Sequence, residues 1–155
     1  AARQALETLT PLRGDCGRTC GAACCRPDED GNGGMLLFPG EETLYSPCPD
    51  WARLTPSADF PGQYLFTCSG RCDRAMRPLA CRIFPLTPRV RAGEITVEPD
   101  VRAWPVCPLM ECGLNGLSAA FVKAMREAME SLAQDEACLA YMKKLSEYLK
   151  QFEAL

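Results

Sequence analysis

The clearest pattern of hydrophobic and polar positions lies in residues 117–155, where apolar side chains recur at helical spacing. This segment contains neither proline nor glycine, the residues that most disfavour a helix interior. Ser118 is a suitable N-cap after the breaking pair Asn115–Gly116, and a second break is expected near Gln134 and Asp135. The pattern therefore predicts two helices, or one bent helix. The apolar stripe consists of Leu117, Phe121, Met125, Met129, Leu132, Cys138, Met142, Leu145, Leu149 and Phe152.

Residues 1–116 show no comparable stretch of apolar residues at helical spacing, and they contain all 13 prolines and all 12 glycines. Short apolar runs at 35–38, 64–67 and 94–97 predict strands, and a turn at 91–94 joins the last run to residues 89–90. Residues 4–9 are expected to form a short helix. The sequence thus predicts one α+β domain over 1–155. Its cysteine-rich, loop-dominated half at 14–112 packs on a C-terminal helical pair at 117–154.

Charge and hydropathy limit the classes of partner. A net charge of −3 disfavours binding to nucleic acid, which selects basic chains. Arg82, Arg89 and Arg91 lie close together, and we expect them to be solvated loop residues. No run reaches the length of a membrane helix and no secretion signal is visible, so no membrane partner is expected. A cytoplasmic location is expected, where thiols stay reduced.

The chain contains no histidine, which excludes several kinds of chemistry. No Ser–His or Cys–His nucleophile pair can form, and no zinc ion can be held by imidazole. Any general acid or base must be Asp, Glu, Lys, Tyr or Cys. With 11 cysteines in the chain, the candidate chemistry is that of thiolates: a metal, a cluster or a disulfide framework. Because an odd number of cysteines cannot all pair within one chain, a disulfide framework is less favoured.

The densest cysteine cluster is Cys16, Cys20, Cys24 and Cys25, interspersed with glycines at 17 and 21. These glycines favour a tight loop over a helix and allow the backbone to fold around an ion. Two adjacent cysteines cannot easily serve one tetrahedral ion, so Cys24 and Cys25 could serve two neighbouring sites, or one of them could lie outside the ligand shell. Cys138 lies on the helical stripe and is expected to be a core residue.

The stretch Arg77-Pro-Leu-Ala-Cys81-Arg-Ile-Phe-Pro-Leu86 carries a resemblance to a known family. Together with the first cluster, Cys48 and Cys107, it resembles the CxxxxCxxCC (YkgJ-like) cysteine-cluster family, described as zinc- or iron-chelating domains. That family is distantly related to the cysteine domain of flagellin lysine N-methylases. The resemblance covers residues 14–112. This chain has gaps of three residues before the cysteine pair, where the family more often has a shorter one.

The resemblance implies a metal site of cysteine thiolates holding zinc or an iron–sulfur cluster. Eight thiolates suffice for two four-thiolate zinc sites, or for one four-iron cluster with spare thiols. Cys68 competes with Cys72 as a ligand, and Cys112 comes next. An iron–sulfur enzyme or subunit in redox or methyl-transfer chemistry, and a module binding a protein partner through its C-terminal helices, remain alternatives. The expected ligands are Cys16, Cys20, Cys24, Cys25, Cys48, Cys72, Cys81 and Cys107.

Overall fold

The computed structural model describes residues 1–27, 29, 33–70 and 72–153. Its elements are five helices and five strands joined by 3₁₀ turns. The helices are α1 (Ala2–Ala5), α2 (Gly17–Cys20), α3 (Leu79–Ile83), α4 (Ala119–Leu132) and α5 (Glu136–Glu153). The strands are β1 (Met35–Leu36), β2 (Ala52–Pro56), β3 (Tyr64–Cys68), β4 (Leu86–Arg91) and β5 (Glu94–Pro99). The chain is therefore an α+β protein, as predicted.

The strands form two small antiparallel sheets. The first has the order β1-β3-β2 and pairs Met35 with Phe66 and Ala52 with Cys68. The second is the hairpin β4-β5, whose tip is formed by Ala92 and Gly93, both at positive φ. This hairpin matches the turn that the sequence predicts. Strand β2 was not predicted, because its sequence ARLTP lacks a clear alternation and ends in proline.

The main hydrophobic core lies between the hairpin and the two long helices. Helix α5 packs against β4, α4 packs against β5, and α1 packs against α4. The apolar stripe supplies Phe121, Met125, Met129, Met142 and Leu149, all at most 1% exposed. Because this stripe is covered by the protein's own core, most of it is not available to a partner.

The C-terminal half agrees closely with the sequence prediction. Helix α4 begins after Ser118, and the break between the helices falls at residues 133–135. Asp135 accepts a hydrogen bond from the Cys138 amide at 2.9 Å and so caps α5. Cys138 is buried in the core, as expected.

Two local predictions in the N-terminal half were wrong. The first helix covers residues 2–5 rather than 4–9, since Leu6 already leaves the helical conformation. The first cysteine cluster is not purely a loop, because Gly17–Cys20 form one helical turn. Gly21 then ends that turn in the left-handed conformation, at φ 63°.

The expectation of solvated arginines was also wrong for two of the three residues. Arg82 and Arg89 are only 7% and 3% exposed. Arg89 forms ion pairs with Glu98 and Glu153 and donates a 2.9 Å hydrogen bond to the Ser146 carbonyl. Arg89 thereby ties the hairpin to α5.

Within the described ranges, no helix combines the length and the apolar composition needed to cross a membrane.

The Arg89 contacts predict a large effect of substitution. Arg89→Met should lower the free energy of unfolding by about 2–3 kcal/mol, because it leaves buried polar groups unpaired between the hairpin and α5. Arg91→Met is the matched control, since the Arg91 side chain is 53% exposed and its pair with Glu98 is screened by water. Urea unfolding followed by circular dichroism measures both. Equal shifts of the two midpoints would contradict a structural role specific to Arg89.

Candidate metal centre

Eight of the eleven cysteines line a single cavity, whose lining includes no residue of α4 or α5. The wall is built from the first cluster, the end of β3, the segment from residue 72 to α3, and residues 106–109. The thiols on it are Cys16, Cys20, Cys24, Cys25, Cys68, Cys72, Cys81 and Cys107. Residues up to 91 positions apart in sequence thus share one surface.

Seven of the eight cysteines expected as ligands lie on this wall, and Cys48 does not. The Cys48 thiol instead donates a 3.5 Å hydrogen bond to the Ala52 carbonyl at the start of β2. Cys68, the runner-up in the sequence, lies on the wall. Cys112 is exposed beside Gly116, away from the cavity lining.

The first cluster reaches the cavity through two short turns. The turn of α2 carries Cys20 next to Cys16, whose carbonyl lies 3.9 Å from the Cys20 sulfur. Gly21 and Ala22 both adopt the left-handed conformation and reverse the chain into the 3₁₀ turn Ala23–Cys25. An alanine rarely adopts this conformation, so the reversal at Ala22 carries local strain.

The end of β3 brings Cys68 to the second of these turns. The Cys68 thiol lies 3.7 Å from the Cys25 carbonyl oxygen, to which it donates a weak hydrogen bond. Gly70 then turns the chain at φ 91° beside the same carbonyl. The sheet therefore positions the Cys68 thiol, and the 3₁₀ turn positions the Cys25 thiol.

Helix α3 carries Cys81 and begins at a buried carboxylate. Glu41 accepts hydrogen bonds from the Leu79 amide at 2.7 Å and from the Phe38 amide at 3.2 Å. Arg3 lies 3.5 Å from the same carboxylate. Burial raises the pKa of Glu41, and the two amide hydrogen bonds oppose that rise.

Arg82, on the same helix, binds backbone carbonyls. Its guanidinium donates to the carbonyls of Arg3, Arg74, Ala75 and Arg77 at 2.9–3.1 Å. These bonds fix the segment between Cys72 and Cys81 against the N-terminal helix.

Arg77 differs from its neighbours because it donates to sulfur. Its Nε lies 3.4 Å from the Cys72 Sγ. The hydrogen bonds described for Arg74 and Arg82, which also line the cavity, go to carbonyl oxygens. A guanidinium beside a thiol favours the thiolate, the form that binds metals.

Burial and mutual repulsion shape the acidity of the thiols. Burial raises the pKa of Cys16, and the nearby groups of Cys20, Asp15 and Cys107 raise it further. Burial also raises the pKa of Cys81 well above its usual value. A hydrogen bond from the Cys24 thiol lowers the pKa of Cys25 to about 6 and raises that of Cys24. The pKa of Cys25 is thus lowered, whereas the pKa values of Cys16, Cys24 and Cys81 are raised.

The cysteine sulfurs are donors that a thiophilic metal prefers, but they are not arranged around a common point. Thiolate sulfur without imidazole is the donor set of four-cysteine zinc sites and of iron–sulfur clusters. Among residues 1–27, 29, 33–70 and 72–153, no group of three or more cysteine or carboxylate side chains is arranged to hold a metal ion. The thiols line a wall rather than surround a point, so metal binding would require the wall to contract.

The chain matches no protein-family model, no curated protein and no solved structure. The resemblance carried by residues 77–86 therefore stays a prediction.

Glu41 offers a test of how this wall is supported. Glu41→Gln should destabilise the fold by about 1–3 kcal/mol, because the amide side chain cannot accept from both buried N–H groups as well as the carboxylate does. It should also speed the reaction of the cavity thiols with a thiol reagent, since α3 positions Cys81. Glu42→Gln is the matched control, as no hydrogen bond or ion pair of Glu42 is described. The role of Glu41 would be rejected if both variants kept the wild-type unfolding midpoint.

Proposed function

We propose that the protein binds a thiophilic metal, as zinc or as an iron–sulfur cluster, through the cysteines that line the cavity. The observation behind this proposal is the convergence of eight thiols from four separate segments on one wall. In a chain of this size, cysteines serving only as small hydrophobic residues would be buried in the core, as Cys138 is.

The surroundings of the thiols support a charged thiolate site. Arg77 donates to the Cys72 sulfur, and the acidic Cys25 lies on the same wall. All four lining arginines, Arg26, Arg74, Arg77 and Arg82, have their guanidinium groups fixed by hydrogen bonds to backbone carbonyls or to sulfur. A donor such as Arg77, bound to the sulfur of a ligand, orients that ligand and offsets its charge.

The proposed role of the metal is to join the loops into one unit. The cysteine half is built from two-to-six-residue elements and turns, which bury little apolar surface by themselves. Metal binding would stabilise these segments, because ligation of thiolates couples to folding. A four-thiolate zinc site is coordinatively closed and would serve this structural role, whereas an iron–sulfur cluster could also carry electrons.

We also propose that the chain is related to the cysteine-cluster family and that it is located in the cytoplasm. Its basis is the motif at 77–86, in which Cys81 lies on the cavity wall and Arg82 holds the wall in place. Reduced thiols are needed for metal binding, and the cytoplasm keeps them reduced.

Metal content tests the proposal directly. The full chain, purified without oxygen, should contain either zinc, at about two ions per chain for eight thiolates, or iron with acid-labile sulfide and a brown colour. Elemental analysis and the visible spectrum separate the two forms. Cys81→Ser should lower the metal content, because this thiol lies on the wall and interacts with Cys25, Cys68 and Cys72.

Cys112→Ser is the matched control and should retain the wild-type metal content, since Cys112 lies outside the cavity lining. A wild-type chain that holds no metal after anaerobic purification and after exposure to zinc would overturn the proposal. So would a Cys81→Ser variant with the full metal content.

A further inference from the structure

We propose that the cavity of the metal-free chain is a binding site for a small organic carboxylate, whose acid group pairs with the guanidinium of Arg77. This site goes beyond the proposed metal binding and uses no property of a bound metal. Three features of the described lining support it: cations outnumber anions, one guanidinium has unused donors, and the remaining walls are mostly apolar.

The charged groups of the lining are unevenly matched. Its single carboxylate, that of Asp15, faces four guanidinium groups, those of Arg26, Arg74, Arg77 and Arg82. Even with Cys25 present as a thiolate, four positive groups face two negative ones. Charged groups that are partly removed from water need a partner of the opposite sign. The described lining therefore accommodates a further anion.

The guanidinium groups differ in how many of their donors are already used. Arg82 donates to backbone carbonyls from all three of its nitrogens, and Arg74 does so from two. Arg77 donates only from Nε, to the Cys72 sulfur at 3.4 Å. Within the part of the chain that the structure describes, the two Nη atoms of Arg77 form no hydrogen bond or ion pair. Their four N–H groups remain for a ligand.

Arg77 is fixed at its backbone as well as at Nε. Its amide donates to the Arg74 carbonyl at 3.2 Å, and its carbonyl accepts from the buried Arg82 at 2.9 Å. Its side chain is half-buried. A guanidinium held in this way offers its Nη atoms as a planar fork, which matches the two oxygens of a carboxylate. Because the fork is already ordered, binding costs less conformational entropy.

The remaining walls indicate the chemistry of the rest of the ligand. The cavity has a volume of about 120 Å³, and its apolar wall residues include Leu9, Met35, Phe66, Val106 and Leu109. At roughly 10–15 Å³ for each water-sized position, the cavity has space for about ten non-hydrogen atoms. A short apolar group that carries one carboxylate matches both the walls and the fork. Inorganic phosphate matches less well, since its charge would lose hydration against apolar walls.

Benzoate, a carboxylate of this size, tests the proposal on the full chain. The metal-free protein is kept reduced with dithiothreitol and titrated with benzoate while its ¹H–¹⁵N NMR spectrum is recorded. The backbone amides of the lining and the Arg77 Nε–H signal should shift and saturate. Benzamide, which has the same shape without the charge, should cause no saturable shift. Absence of a saturable shift with benzoate, or equal binding of the two compounds, would overturn the proposal.

Substitutions of Arg77 test which guanidinium binds the acid group. Arg77→Met should weaken benzoate binding at least about tenfold, because charge-assisted hydrogen bonds are lost. Arg77→Lys keeps the charge without the fork, so it should recover only part of the affinity. Arg53→Met is the matched control and should bind as the wild type does, since Arg53 is exposed on β2 outside the cavity lining. Undiminished binding by Arg77→Met would refute the assignment.

Two further comparisons keep the result decisive. Tighter binding of inorganic phosphate than of benzoate would show that the ligand class is wrong. Circular dichroism shows whether Arg77→Met folds, and if it does not, the comparison of benzoate with benzamide on the wild-type chain still decides the proposal. A chain that binds benzoate but no zinc would refute only the proposed metal binding, so the two failures are distinguishable.

Discussion

The cysteine half depends on the hydrogen bonds of one buried guanidinium group, that of Arg82. It donates to four backbone carbonyls drawn from the N-terminal helix and from residues 74–77. Hydrogen bonds to a charged group contribute about 1.5–3 kcal/mol each, and a buried guanidinium without them would be strongly unfavourable. The position of Arg82 in turn depends on α3, which begins at the carboxylate of Glu41. The hydrogen bonds of Arg82 and Glu41 therefore hold these segments together, as apolar packing does elsewhere in the chain.

The two halves of the protein are stabilised by different kinds of interaction. Around α4, α5 and the hairpin, long apolar side chains exclude water and a few buried ion pairs fix the register. Around the cavity, turns and one-turn helices are fixed by arginine and carboxylate contacts to the backbone. The apolar core is continuous and includes Leu79 and Ile83 of α3, so it supports the cavity wall.

The sequence predicts the elements that depend on local periodicity and misses those that depend on distant partners. The two C-terminal helices follow from a repeated apolar stripe, which is a local property. The burial of Arg82 and Arg89 could not be inferred, because their partners lie far along the chain at residues 3 and 146. The placement of Cys68 rather than Cys48 on the wall likewise requires the register of β3 with β2. The sequence identifies the candidate thiols, but only the pairing of the strands shows which of them lie on the same cavity wall.

The arginines of the cavity give this acidic protein a local electrostatic field of the opposite sign. The net charge of the chain is −3, yet the described cavity lining carries Arg26, Arg74, Arg77 and Arg82 against a single carboxylate, Asp15. Arg74 and Arg82 bind neutral carbonyl oxygens, and the carboxylates that interact with Arg82, those of Glu7 and Glu41, lie outside the cavity lining. A potential of this sign, focused in a cleft, attracts anions and raises their local concentration. The cavity therefore favours an anion over a cation, although the chain as a whole is acidic.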